Sequence, residues 1–404
     1  MGNFSERGHG SDAALCCASG ACGWGIAGPI HSCLFIPKPA AQLQRARPSD
    51  GGGRHRCCMT TKQPEFTLNR PGALIAALPA ILGFVPEKSL VLVAIDDGQL
   101  GSVLRVDLTE ELAVGRLAEV AAAAKPASMI AVIIDAEGAH CPFCNDQHRT
   151  LVDSLTSELT RYGITLNSAH VVDRIAEGGR WYCADGCGAA GIVDDPEASP
   201  LAAAAVLDGR RLYARRADLQ AVISPDQASA QVAAVINRYA AKRAGTDATP
   251  ARARRDVQRA LAAVIALADG RAPGSHQLAL LGCSLADLKV RDTLCALAIS
   301  EHSAGAEQLW SALCRTLPAP WRAEALVLLA FHAYARGDGP LAGVSLEAAL
   351  RCVPNHRMAG LLDTALQSGL RPERIRGLAD TGYRLASQLG VQLPPRQGVG
   401  QRAG

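Results

Sequence analysis

Two apolar runs, Ser89 to Ile95 and Ser128 to the strand end at Asp135, constrain this chain more than any other feature. Neither alternates apolar with polar residues, so each predicts a strand covered on both faces. Helical patterns surround them. Arg70-Pro71 opens a helix that Gly83 closes, residues 110–124 form a second, and 146–162 make a long amphipathic third. Asp97-Gly98 marks a turn into a returning strand, Ser102 to Leu108. Ile164 to Ile175 reads as extended, and Arg180 to Cys183 and Ala189 to Val193 as short strands around a cysteine-rich turn. Strands alternating with helices predict an α/β N-terminal domain over residues 59–225, with a mixed, largely parallel sheet covered by helices.

From Leu201 onward the patterning is helical, and residues 226–390 are expected to form an all-α helical C-terminal domain. Aromatic residues are only 4% of the 404, while apolar residues are 49%. Ala, Leu and Val must therefore fill the interior of closely packed helices. A weak repeat lies here: Leu294, Leu297, Ala306, Trp310, Leu313 and Pro318, shifted by 36 residues, fall on Ala330, Ala333, Ala342, Leu346, Ala349 and Pro354. Small residues at helix crossings with a closing proline suit helix-hairpin repeats, against an ordinary helical bundle. Such a half would contact a protein partner.

The ends differ from the body. Residues 1–58 hold six of the 14 cysteines and no sustained period, and translation is expected to start at Met59. That leader reads as disordered or spurious, and 391–404 as a disordered tail. The leader carries six Lys/Arg against three Asp/Glu, whereas the other 346 residues hold 35 of each. A balanced body lacks the basic excess of a nucleic-acid binder. The cluster Arg252, Arg254, Arg255 and Arg259 reads as a solvated helix face. No run is long enough to span a membrane, and no export signal is clear, which predicts a cytoplasmic, reducing setting.

In that setting cysteines are metal ligands, redox groups or core fillers. Cys283, Cys295, Cys314 and Cys352 stand alone in helical patterns and are expected in the core. Cys141-x-x-Cys144 and Cys183-x-x-x-Cys187 are paired. Four thiolates from two such pairs can hold one zinc ion tetrahedrally and leave no open position, so this site would be structural. His140 and His148 are spare ligands. Alternatively Cys141-Pro142-Phe143-Cys144, between a strand and a helix, resembles the thioredoxin arrangement, with Cys141 as nucleophile and Cys144 as resolving thiol. No tryptophan precedes Cys141 and no downstream proline partner is evident.

Strand-end polar residues offer a third reading. Arg105 and Asp107 share a strand face, and with Asp135 they could bind an anionic ligand at the sheet edge, or simply pair with neighbours. Phosphate-loop, zinc-protease and serine-hydrolase signatures are missing. The glycine spelling at Gly186, Gly188 and Gly191 opens no helix.

A family resemblance runs through these segments. Leu78-Pro79, Leu82-Gly83-Phe84-Val85-Pro86, Ser89-Leu90-Val91 and Arg105-Val106-Asp107-Leu108 are similar to the opening of the actinobacterial domain-of-unknown-function family 4192. Arg180-Trp181 with Cys183, Ala203-Ala204, Gly209 and Arg215-Arg216-Ala217-Asp218-Leu219 resemble its middle. Gly337-Asp338-Gly339 and Pro354-Asn355-His356 resemble its helical tail. The resemblance implies a cytoplasmic protein and brings no activity, cofactor or catalytic residue. The leading expectation is a non-catalytic interaction or regulatory protein with a structural zinc site of four cysteines. Its alternatives are the thiol–disulfide oxidoreductase and an anion-binding enzyme.

Overall fold

The computed structural model describes residues 70–397, apart from 97–98, 109–112, 124, 208–209, 245–248 and 369, together with Cys33–Leu34. Expectations for the rest of 1–58, for Asp97-Gly98 and for 398–404 fall outside the described residues. The strands are β1 (Cys33–Leu34), β2 (Ser89–Asp96), β3 (Gln99–Asp107), β4 (Ser128–Ile134), β5 (Thr165–Val172), β6 (Arg180–Cys183) and β7 (Ala190–Ile192). They form one sheet in the order β1-β3-β2-β4-β5-β6-β7. Helices α1 (Pro71–Leu82), α2 (Val114–Ala123) and α3 (Pro142–Arg161) accompany it.

The sheet is mixed but not largely parallel, which corrects the expectation. Among the described pairings only β4 with β5 is parallel. The cause lies in the connections. A parallel neighbour needs a long crossover, and α3 supplies one between β4 and β5. The chain returns to an adjacent position after β2, β5 and β6, and each return is antiparallel. Strands β3 and β4 do point the same way, but β2 lies between them, with Ser89 opposite both Asp107 and Ile134.

The unbroken apolar character of β2 and β4 comes from cover on both faces instead. One face, with Leu90, Leu92 and Ile133, packs on Leu117 of α2 and on Leu155 and Leu159 of α3. The other, with Val91, Val93, Val132 and Ile134, joins α1 and the C-terminal helices in one continuous core that includes Phe331 and Leu341. The expected units 59–225 and 226–390 therefore share a core. Gly83 (φ 75) ends α1, and a Cβ there would lie 2.9 Å from Pro340, which leads the helical half onto the end of α1.

That half comprises α4 (Pro200–Leu207), α5 (Arg216–Ala221), α6 (Ala228–Ala244), α7 (Pro250–Ala268), α8 (Ser275–Leu285) and α9 (Leu288–Leu294). After a 3-10 turn come α10 (Ser303–Thr316), α11 (Trp321–Arg336), α12 (Gly339–Cys352), α13 (Arg357–Gln367) and α14 (Pro372–Leu389). The 36-residue shift maps α10 onto α12, both of 14 residues, and the first residue of α11 onto that of α13. Residues 391–397 are not a loose tail: Val391 is buried, Tyr383 Oη donates to Pro394 O, and Arg396 bridges to Ser300. Cys283, Cys295 and Cys314 are buried as core fillers, and burial pushes the Cys295 thiol up to about 12. On α7, Arg254 and Arg255 are exposed while Arg259 binds the buried Asp256 at 2.6 Å.

The stacked hairpins bury the polar pair Trp310 and His332 in their core. Trp310 Nε1–H donates to His332 Nε2 at 3.2 Å, and His332 Nδ1 lies 2.9 Å from Leu328 O. Nε2 is thus an acceptor and Nδ1 carries the proton, a neutral ring with both nitrogens satisfied. Burial lowers the His332 pKa to about 4. The unfolded chain then binds the extra proton between about pH 6.5 and 4, so stability falls as pH drops through that window, by about 3 kcal/mol for this group. Thermal midpoints from pH 7.5 to 4 should show the decline, and His332→Gln should flatten its slope by about one proton. An unchanged slope would remove His332 as the cause.

Candidate functional site

Because β2 runs opposite to both neighbours, β3, β4 and β5 all end at one edge of the sheet, the edge where open α/β sheets take ligands. Asp107, Asp135 and Asp173 stand there, and Cys141 caps the start of α3 above them. Alternation on β3 puts Arg105 beside Val103, on the face that meets the helical half.

Arg105 is buried and held by internal partners. Its Nε donates to Ser89 Oγ at 2.9 Å, its Nη2 pairs with Asp107, and its guanidinium lies 5.8 Å from the centre of the Phe84 ring. Burial lowers its pKa, against the opposing pull of Asp107. Asp135 follows β4, two strands along on the far side of β2. The three residues expected to share an anion site are thus divided, with the Arg105–Asp107 pair apart from Asp135.

Asp135 belongs to a different cluster. It ends β4, and its Oδ1 accepts the Gly138 N–H at 3.0 Å, closing the turn that leads into α3. Its Oδ2 lies 3.2 Å from Nε2 of His148, which is 1% exposed. Burial pushes the Asp135 pKa up, but the bonds from His148 and Gly138 outweigh it, and the net direction is down. A Cβ at Gly138 would clash with Asp135 Oδ2 and sit 3.1 Å from Cys144 Cβ, so glycine is what fits between the two side chains. Cys144 and His148 are four apart on the buried face of α3 and hence neighbours. Next to them Tyr182 Oη donates to Asn145 Oδ1 at 2.5 Å, and burial followed by Asp135 raises its pKa to about 12. Asp173 is spent on its own loop, accepting from Arg174 and Arg180 N–H groups, with His140 3.8 Å away.

The second cysteine pair lies across the sheet. Tyr182 points to α3, so the next residue, Cys183, points the other way, toward Trp181's side. There it stands opposite His170 of β5, with Sγ 3.7 Å from His170 Nδ1. The hairpin then curls through Gly186 and Gly188, at φ 77 and 79, bringing Cys187 back. Donor atoms of Cys183, Asp185 and Cys187 all lie within 4.8 Å of one another. Burial, then Cys187 and Asp185, raise the Cys183 thiol to about 12, and burial lowers the His170 ring. Cys141 and Cys144 are not in this group, so the sulfurs of the expected four-thiolate clamp do not converge. The sheet separates them.

Sequence reasoning misses His170, Asp185 and Tyr182 as site residues. Asp185 had a signal, since it sits inside the Cys183–Cys187 span. His170 had none, because its pairing with Cys183 is a matter of strand register.

A family profile described as a domain of unknown function, DUF4192, matches residues 71–373. No curated protein matches the chain, and no solved structure does.

Nε and Nη2 of Arg105 have internal partners, while its buried Nη1 has none among the described residues. Arg105→Ala should cost about 2 kcal/mol by lost packing and by removing the Nε–H that Ser89 Oγ accepts, read as a lower denaturant midpoint. An unchanged midpoint would return Arg105 to the ligand-binding candidates.

Proposed function

The chain belongs to the DUF4192 family, a domain of unknown function, and within it we propose an interaction or regulatory protein whose β6–β7 hairpin is held by a zinc ion. One observation carries the reading: Cys183, Asp185 and Cys187 already present their donors within 4.8 Å of one another, beside His170. Two thiolates, an imidazole and a carboxylate are donors that zinc accepts. Around a tetrahedral zinc two sulfurs stand about 3.8 Å apart, so a small contraction of the glycine-bearing turn completes the site. With all four donors engaged no position stays open, and the ion's role is structural. It would tie the outermost hairpin to β5 through His170.

The helical half is the surface offered to a protein partner. Two hairpins in 36-residue register, α10–α11 and α12–α13, support this, since stacked hairpins build extended binding faces. Leu361 on α13 and Leu378 on α14 are exposed apolar residues. The free-thiol chemistry of this reading suits a reducing, cytoplasmic compartment.

Protein purified under reducing conditions and dialysed against zinc should retain about one equivalent. Cys183→Ser and Cys187→Ser should each abolish retention, His170→Ala should weaken it, and Cys141→Ser should leave it intact. Loss of the ion on Cys141→Ser would reinstate the four-thiolate clamp, and no retention by the unaltered protein would end the metal reading.

A further inference from the structure

The dithiol left over by the metal site has its own surroundings. Cys141 is partly exposed at the cap of α3, whereas Cys144 is buried one turn on. One helical turn sets their Cα atoms about 5 Å apart, inside the span a disulfide bridges. Among the described residues they belong to no group of three donors at ligand spacing. On the same face of α3 lies a buried carboxylate–imidazole pair, Asp135 with His148. Asp135 and Cys144 flank the same glycine, since a Cβ built on Gly138 would crowd both the Asp135 carboxylate and the Cys144 Cβ.

From this placement we infer that Cys141 and Cys144 form a redox dithiol that reduces small or peptide disulfides, with Asp135 and His148 receiving the proton of the buried thiol. Cys141 is the attacking group, since it alone of the two meets solvent and the backbone N–H groups of the helix start favour negative charge there. Its thiolate attacks one sulfur of the substrate disulfide and expels the other as a thiolate, leaving a mixed disulfide on Cys141. Cys144 then gives its proton to the Asp135–His148 pair. Its sulfur attacks Cys141 Sγ, the mixed disulfide breaks, and the second substrate thiolate leaves. Two electrons pass from the dithiol to the substrate, which departs as two thiols after taking up two protons. The Cys141–Cys144 disulfide is the oxidised product, and an external thiol restores the dithiol.

The reduced full-length protein, exposed to oxidised glutathione and mapped by mass spectrometry, should acquire a Cys141–Cys144 disulfide. Cys144→Ser should accumulate glutathione on Cys141, and Cys141→Ser should leave Cys144 unmodified. In Asp135→Asn the first step should persist while release of glutathione slows about tenfold at pH 7, because an unassisted thiol is only a few per cent thiolate there. That release should recover as pH rises toward the ordinary thiol range, a profile that a purely structural role would not produce. His148→Gln should behave alike, and is the check if Asp135→Asn fails to fold. Absence of the Cys141–Cys144 bridge in the unaltered protein overturns the inference, and so does bridging confined to Cys183 and Cys187. Glutathione release at the normal rate in both the Asp135 and His148 variants overturns the role of that pair.

Discussion

Strands β2 and β4 are buried on both faces, and the burial of those two faces organises the molecule. Leu90, Leu92 and Ile133 on one side and Val91, Val93 and Val132 on the other each need an apolar cover. Helices α2 and α3 supply one. The second is assembled from α1 and the C-terminal helices, so the helical half is part of the same core rather than an appended module. Each fully buried Val, Leu or Ile contributes about 1.5–3 kcal/mol, and removing either cover would expose a whole row of them.

This two-sided construction also partitions the chemistry. The α3 face holds Asp135, His148, Cys144 and Tyr182, and the opposite face holds His170 and Cys183. Residues adjacent in sequence, Tyr182 and Cys183, are assigned to different clusters by the pleat alone. One sheet can thus carry a soft-ligand turn and a separate dithiol on opposite faces. Arg105 is drawn into the core by Ser89, Asp107 and Phe84, as an element of cohesion.

Much of the architecture was legible in the residues. The apolar runs locate β2 and β4 to within a residue, Pro71 and Gly83 bracket α1, and the 36-residue shift anticipates two hairpins in register. Strand direction was not legible, because an apolar run reports burial on both faces and says nothing of its neighbour's polarity. The parallel expectation failed for that reason.

Local pattern was enough to establish where helices and strands form, which thiols come in couples and which stand alone in the core. Those properties depend on side-chain spacing along a few turns or a few pleats. Which face each couple occupies, that His170 lies against Cys183, and that Asp135 pairs with His148 while Arg105 lies elsewhere, were set by the tertiary structure. Such contacts join different elements, His170 and Cys183 being 13 residues apart, and they follow from register and from the order of strands.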